Sequence, residues 1–418
     1  MRFIYSILLY LLAAPALLYL SVRGGQAGKA ERHWRERLGF AAPTSTAPPL
    51  WLHAASVGEV QAALPLLRQL LERYPHHPIL VTTMTATGRA QVQAALGSRV
   101  RQAYLPMDLP GAVARFLRRV RPKLVVVLET ELWPNLYRAL RARDIPLLVV
   151  NARLSERSAA GYRRLGALTR STIGCITTIA AQSPADAARY AMLGATAEQL
   201  VTTGNIKFDL SVPAAVVAAG QALRAELGVQ RPVWIAASTH EGEDEQMLAA
   251  HRRLLEKKPD LLLILVPRHP QRFERVAALC REQGFSVARR SRAESGAQAQ
   301  VYLGDTMGEL LAMYAAADVA FVGGSLVPIG GHNLLEPAAL GLVPVSGPQL
   351  ANFQQIAELL TAADALVRVN DAAELAAQVA ALLDEAECRS AAGARARGVV
   401  DENRGALERT LALIARHL

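Results

Sequence analysis

KLVVVLETELWPN, Lys123–Asn135, decides how this chain folds. Successive residues of a strand point to opposite faces, so the unbroken apolar run Leu124–Leu128 describes a strand covered on both sides. Strands of that kind belong to parallel sheets with helices packed on either face. The run then stops at two acids, Glu129 and Glu131, which lie two residues apart and so share one side of the strand end.

Outward from this stretch the pattern repeats. LWLHAAS, PILVTTM, IPLLVVNA, ITTIAAQ and LVTTGN are further strand candidates, each separated from the next by a helical pattern. After the alanine-rich helical segment Asp209–Gln230 a second series begins: PVWIAAS, LLLILVP, FSVARR, VYLGD, DVAFVGG, VPVSG and ALVRV. The fold class is therefore α/β, with two Rossmann-like domains in tandem. A length of 418 residues also exceeds one ordinary core. The expected divisions are 1–22, 23–49, 50–212 and 213–418.

The first of these divisions is the most hydrophobic. Phe3 to Val22 is uncharged and mostly apolar, and about 20 such residues suffice to cross a bilayer as a helix. Only Arg2 precedes it, whereas Arg23, Lys29, Arg32, Arg35 and Arg37 follow. The positive-inside rule then leaves the body in the cytoplasm behind a single-pass anchor. The basic segment around Trp34 reads as a membrane-surface helix or a solvated linker, and Ala41–Pro49 as a loop.

Composition narrows the partners. The formal net charge of +10 favours an anionic partner. Aromatics make up only 5% and do not alternate with basic residues as a base-stacking surface would, which argues against nucleic acid. Cys175, Cys280 and Cys388 form no C-x-x-C pair, so neither a zinc site nor a disulfide framework is expected.

In open parallel sheets ligands bind beyond the carboxyl ends of the strands, and there the chain is rich in chemistry. Glu59 follows Ser56-Val57-Gly58 at the start of a helix, as a base or as a partner of the helix dipole. STHEGEDE, from Ser238, lacks the second histidine of a zinc protease motif and resembles a capped helix start. PRHP places Arg268 where a phosphate or carboxylate can be held in two-pronged fashion. GGSLVPIGGHNLLEP, Gly323–Pro337, brings glycines and a helix start near Asn333 together, and matches neither common nucleotide-binding glycine motif. Two sets of strand ends of this kind predict a cleft between the domains.

WRERLGF, HAASVGE, VTTMTATG, ETELWPN, NARLSERS, GNIKFD, STHEGEDE, PRHPQRF, GDTMGEL and FVGGSLV with GGHNLLEP fall in the order found in 3-deoxy-D-manno-octulosonic acid (Kdo) transferases. The chain resembles that family over nearly its whole length. The resemblance implies a GT-B glycosyltransferase fold and inverting transfer of Kdo from CMP-Kdo to the lipid A precursor, lipid IVA, at the cytoplasmic face of the inner membrane. It implies Glu59 as general base and Glu129 and Lys207 as transition-state stabilisers. CMP contacts are implied at Pro267, Arg268, Met307, Gly308, Glu309, Asn333, Leu334, Leu335 and Glu336. No metal and no cofactor are implied; the expected partners are CMP-Kdo, the lipid acceptor and the membrane surface. The alternative is another GT-B enzyme, a transferase or epimerase that uses a UDP-sugar.

Overall fold

The computed structural model describes residues 2–23, 34–40 and 47–418. The chain forms two compact units, Met1–Asp209 with Arg404–Leu418, and Leu210–Asn403. The basic residues Lys29 and Arg32, and most of the Ala41–Pro49 loop, lie outside the described residues.

The first unit contains a seven-stranded sheet: β1 Leu50–His53, β2 Ile79–Thr83, β3 Arg101–Tyr104, β4 Leu124–Leu128, β5 Leu147–Ala152, β6 Thr178–Ala181 and β7 Leu200–Thr202. Their spatial order is β3-β2-β1-β4-β5-β6-β7, every neighbouring pair parallel. The alternation expected of β4 is visible in its packing. Val125 and Val127 join Trp51, Val149 and Phe116 on one face, while Leu124, Val126 and Leu128 join Leu52, Leu66 and Leu67 on the other. Each such leucine contributes about 1.5–3 kcal/mol by leaving water.

The second unit repeats the plan with β8 Val233–Thr239, β9 Leu262–Pro267, β10 Val287–Arg289, β11 Val301–Leu303, β12 Val319–Val322, β13 Pro344–Ser346 and β14 Val367–Arg368. The order is β10-β11-β9-β8-β12-β13-β14, again parallel throughout. Trp234, Ala236 and Leu263 pack on one face, Val233, Ile235 and Leu262 on the other. In each sheet the chain reverses its direction of winding beside the first strand, between β1 and β4 and between β8 and β12. Crevices for ligands form at such reversals. The loops after those four strands carry SVGE, ETELWPN, STHEGE and GGSL.

The C-terminal segment belongs to the first unit. Asp209, the last residue of GNIKFD, accepts the amides of Gly405 (2.6 Å) and Leu407 (2.7 Å) and so holds the start of the helix Ala406–Ala415. Leu411, Leu413 and Ile414 of that helix are buried with Leu66, Leu67 and Leu70.

The expected transmembrane anchor is overturned. Among the described residues no helix is long and apolar enough to cross a membrane. The run does form a helix, Arg2–Arg23, but one flank of it belongs to the protein. Tyr5 Oη donates to Asp108 Oδ2 (3.0 Å), Ser6 Oγ donates to Asn135 Oδ1 (3.1 Å), and Tyr10 Oη accepts the Gly111 amide (3.4 Å). Ala13 is buried with Leu109 and Ala112. A lone spanning helix must be apolar all round, whereas polar contacts to Asp108 and Asn135 require protein on this flank.

Candidate active site

In the first unit the site grows from the end of β1. Ser56 leaves the strand in an extended conformation and caps the helix Val57–Arg73, its Oγ accepting the Glu59 amide. The Glu59 carboxylate turns back over this cap. Its Oε2 accepts the Ala55 amide (2.8 Å) and its Oε1 accepts from Ser56 Oγ (3.1 Å). The side chain is half-buried. Loss of water pushes its pKa up to about 7, with the charges of Glu129 and Glu131 adding to the rise and the Ala55 amide opposing it. Glu59 is thus a partner of the helix start whose carboxyl is lifted toward neutrality.

Glu129 stands just beyond β4 with φ +58°, and Asn151, inside β5, has φ +52°. Left-handed backbone at residues other than glycine costs of order 1 kcal/mol and clusters where function requires it. At Asn151 the compensation is explicit. Its Oδ1 accepts the Ile206 amide (3.0 Å) and its backbone oxygen accepts from Gln182 Nε2 (2.9 Å). Asn151 therefore fixes the GNIKFD turn, and Asn205 finishes it by accepting the Lys207 amide through Oδ1 (3.0 Å). Lys207 Nζ then reaches to 3.8 Å from Glu129 Oε1. Glu131 is half-buried, and burial raises its pKa as well. The structure brings the three expected residues of this unit, Glu59, Glu129 and Lys207, into one electrostatic neighbourhood through Glu129.

In the second unit Pro267 ends β9 and is buried, while Arg268 is half-buried just after it. Met307 is 64% exposed. Gly308 has φ +87°, a conformation that lets the chain turn between Met307 and Glu309. The Glu309 carboxylate accepts from Arg290 Nη2 (2.8 Å) and from Thr306 Oγ1, and Arg290 holds its pKa low. Asn333 donates through Nδ2 to Glu336 Oε1 (3.1 Å) and accepts the Leu335 amide through Oδ1 (3.1 Å). Leu334 and Leu335 are fully buried, so only their backbone is available to a ligand. Burial raises the pKa of Glu336.

Two local expectations change. The helix expected to start near Asn333 is the short Leu335–Ala339, its first amide occupied by the Asn333 side chain. STHEGEDE does not cap its helix in the ordinary way. Thr239 Oγ1 instead donates to Asp244 Oδ1 (2.6 Å), and Glu243 reaches into the loop after β12, accepting the amides of Gly324 (2.7 Å), Ser325 (3.0 Å) and Leu326 (3.0 Å). These loop partners of Glu243 lie too far along the chain for local spacing to reveal them. Among the described residues no group of three or more His, Cys, Asp or Glu is placed to hold a metal ion.

Two parallel-sheet units of this kind make up the GT-B fold. Solved structures share the fold: the UDP-GlcNAc 2-epimerase of Neisseria meningitidis bound to UDP-GlcNAc covers 88% of this chain and all of its own, with a TM-score of 0.57 at 13% identity. The family described as 3-deoxy-D-manno-octulosonic-acid transferase (kdotransferase) matches residues 32–210. Relatives named 3-deoxy-D-manno-octulosonic acid transferase include one from Haemophilus influenzae, 45% identical over 100% of this chain and 99% of its own length. Another, from Bordetella pertussis, is 41% identical over 90% of this chain and 89% of its own. The chain belongs to the Kdo transferase family.

Proposed function

We propose that the chain moves Kdo from CMP-Kdo to a hydroxyl of a lipid A precursor, with inversion at the anomeric carbon and release of CMP. One observation carries this reading: Glu59 is half-buried, oriented by Ala55 and Ser56, and has its pKa lifted to about 7. A sugar hydroxyl is too weak an acid to ionise at neutral pH, so a positioned carboxylate must take its proton as the new C–O bond forms. As that bond forms, the bond between the anomeric carbon and the phosphate oxygen breaks through an oxocarbenium-like state, and CMP leaves with the electron pair. Lys207 beside Glu129 supplies a cation at the acceptor side. Arg268, the Met307–Glu309 turn and Asn333–Glu336 are assigned to CMP. Such preset charges are worth about 3–4 kcal/mol each where they meet charge that develops in the transition state.

The acceptor is lipid-borne, and the N-terminal helix supports docking on an anionic bilayer surface. Phe3, Ile4, Leu8, Leu11 and Leu12 are 53–76% exposed along it. At its start Arg2 lines a cavity of about 290 Å³ with Pro134, Arg138, Ser171 and Thr172. An apolar row rimmed by arginine lies in the plane of a membrane surface.

The test is mass spectrometry of a lipid A precursor incubated with the purified full chain and CMP-Kdo, or with UDP-sugars in its place. The expected product is the precursor plus Kdo, formed from CMP-Kdo alone and absent with Glu59→Gln. Transfer from a UDP-sugar, or an undiminished Glu59→Gln enzyme, overturns the assignment. Sedimentation with anionic vesicles, retained by the full chain and lost on Leu8→Glu with Leu11→Glu, tests the docking.

A further inference from the structure

Three histidines far apart in sequence converge in the second unit: His240 after β8, His269 after β9, and His332 from the glycine loop after β12. The Nε2 atoms of His240 and His332 are 2.8 Å apart, with ring planes 8° from parallel. The His269 ring stands edge-on to His240, with centroids 5.2 Å apart. Gly324, at φ +68°, makes room for this arrangement, because a Cβ there would lie 2.9 Å from His332 Cδ2.

Two ring nitrogens at that separation share a single proton. If both carried one, the two N–H groups would point at each other. The pair is therefore uncharged at the contact, one Nε2–H donating to the other bare Nε2. The surroundings agree: burial lowers the His332 pKa to about 3, helped by His240, Arg268 and His269, and burial lowers His240 and His269 too. The charged groups facing the cluster are Glu243, Arg268 and Arg272, with Glu336 next to Arg268.

Those acids are already engaged. The fully buried Glu243 carboxylate takes the amides of His240, Gly324, Ser325 and Leu326, and so fills the backbone nest of the glycine loop. Glu336 is bonded to Asn333, and Asp244 is paired with Arg272. A ligand's negative charge finds the amides of Gly324, Ser325 and Leu326 occupied. The imidazoles and Arg268 stand beside them to meet it.

We propose that His240 and His332, with His269 and Arg268, form an oxyanion subsite of the donor-binding unit that takes up one proton as it fills. The proton comes from solvent and adds to the bare Nε2; the N–H···N bond gives way to two N–H···O bonds directed at the ligand. This rests on CMP-Kdo as donor, which offers two oxyanions, the phosphate of CMP and the carboxylate of the sugar acid. Neither His240 nor His332 is among the residues assigned to CMP above.

The experiment is calorimetry of CMP, and separately of free Kdo, binding to the full chain between pH 6 and 8 in buffers of different ionisation enthalpy. Up to one proton is taken up, and affinity rises as pH falls by up to about tenfold per unit. The CMP phosphate itself titrates near pH 6, but that contribution persists in His240→Gln and His332→Gln. The pair's contribution is the difference, and it vanishes in both variants. Uptake linked to CMP assigns the phosphate, and uptake linked to free Kdo assigns the carboxylate. Proton uptake that both substitutions leave unchanged, for CMP and for free Kdo alike, overturns this proposal and leaves the donor assignment standing. Failure of CMP to bind at any pH overturns both. Should the variants misfold, NMR titration of the imidazole Cε1–H signals in the native chain decides: two signals shift their midpoints upward when CMP or free Kdo is added, and midpoints unmoved by either overturn the proposal.

Discussion

Lys207 Nζ lies 3.8 Å from Glu129 Oε1, an ion pair at the loose end of the contact range between two half-buried side chains. At so long a separation the pair makes no close hydrogen bond and adds little to stability, so its value lies elsewhere. Lys207→Met should leave the melting temperature within a few degrees and lower kcat by about 10²–10³. A large loss of stability with modest loss of kcat would make Lys207 structural.

The rate profile should carry an acid limb. A base works unprotonated, so kcat/KM falls as pH drops through about 7, the pKa of Glu59. Glu129→Gln removes a like charge, which moves the limb partway back toward the ordinary carboxylate range, because burial remains the larger cause. A limb unmoved by that change, or already absent in the native enzyme, argues against Glu59 as base.

Acid should loosen the second unit through His251. Its Nδ1 accepts from Trp234 Nε1 (3.2 Å) and its Nε2 donates to the Gln300 oxygen (2.9 Å), which fixes a neutral tautomer. Burial lowers its pKa from 6.5 to about 4. The unfolded chain then binds more protons between these values, so the contribution is complete above pH 6.5 and lost as pH falls toward 4. About 3 kcal/mol is at stake. Urea midpoints measured from pH 7 to 4 should decline less steeply in His251→Gln. In the first unit the buried His53, also lowered to about 4, acts in the same direction, while Asp108, raised to about 6, acts in the opposite one.

The C-terminal helix should matter to the first unit alone. Leu411→Ala empties part of a packed cluster, at a cost of about 2–5 kcal/mol. Hydrogen exchange should quicken in the helix Val57–Arg73 and leave β8 and β9 unchanged. Exchange quickened only in the second unit would contradict the placement of the helix.

Legibility in the sequence followed the range of the interactions. β4, β9 and their kin announce themselves because burial on both faces leaves a continuous apolar run, a property of a few adjacent residues. Glu59 and Glu129 were findable for the same reason, as acids at the ends of such runs. Hydropathy misled at the N-terminus because it weighs composition and is blind to the hydrogen bonds that tie Tyr5 and Ser6 to Asp108 and Asn135 more than a hundred residues away. Glu243 read as one acid of a capped helix start since its distant partners, Gly324 to Leu326, are brought to it only by the sheet order. The His240–His332 contact was hidden likewise, each histidine being unremarkable in its own neighbourhood.

The hold of Asp209 on Gly405 and Leu407 reaches beyond the finished molecule to its synthesis. Translation delivers Arg404–Leu418 after Leu210–Asn403, so the residues of the second unit are all polymerised before the first has every piece it needs. In that interval Leu66, Leu67 and Leu70 lack the cover that Leu411 and Ile414 will provide. A ribosome that stalls or terminates before Arg404 releases a chain with greasy surface uncovered, a natural client for chaperones and proteases.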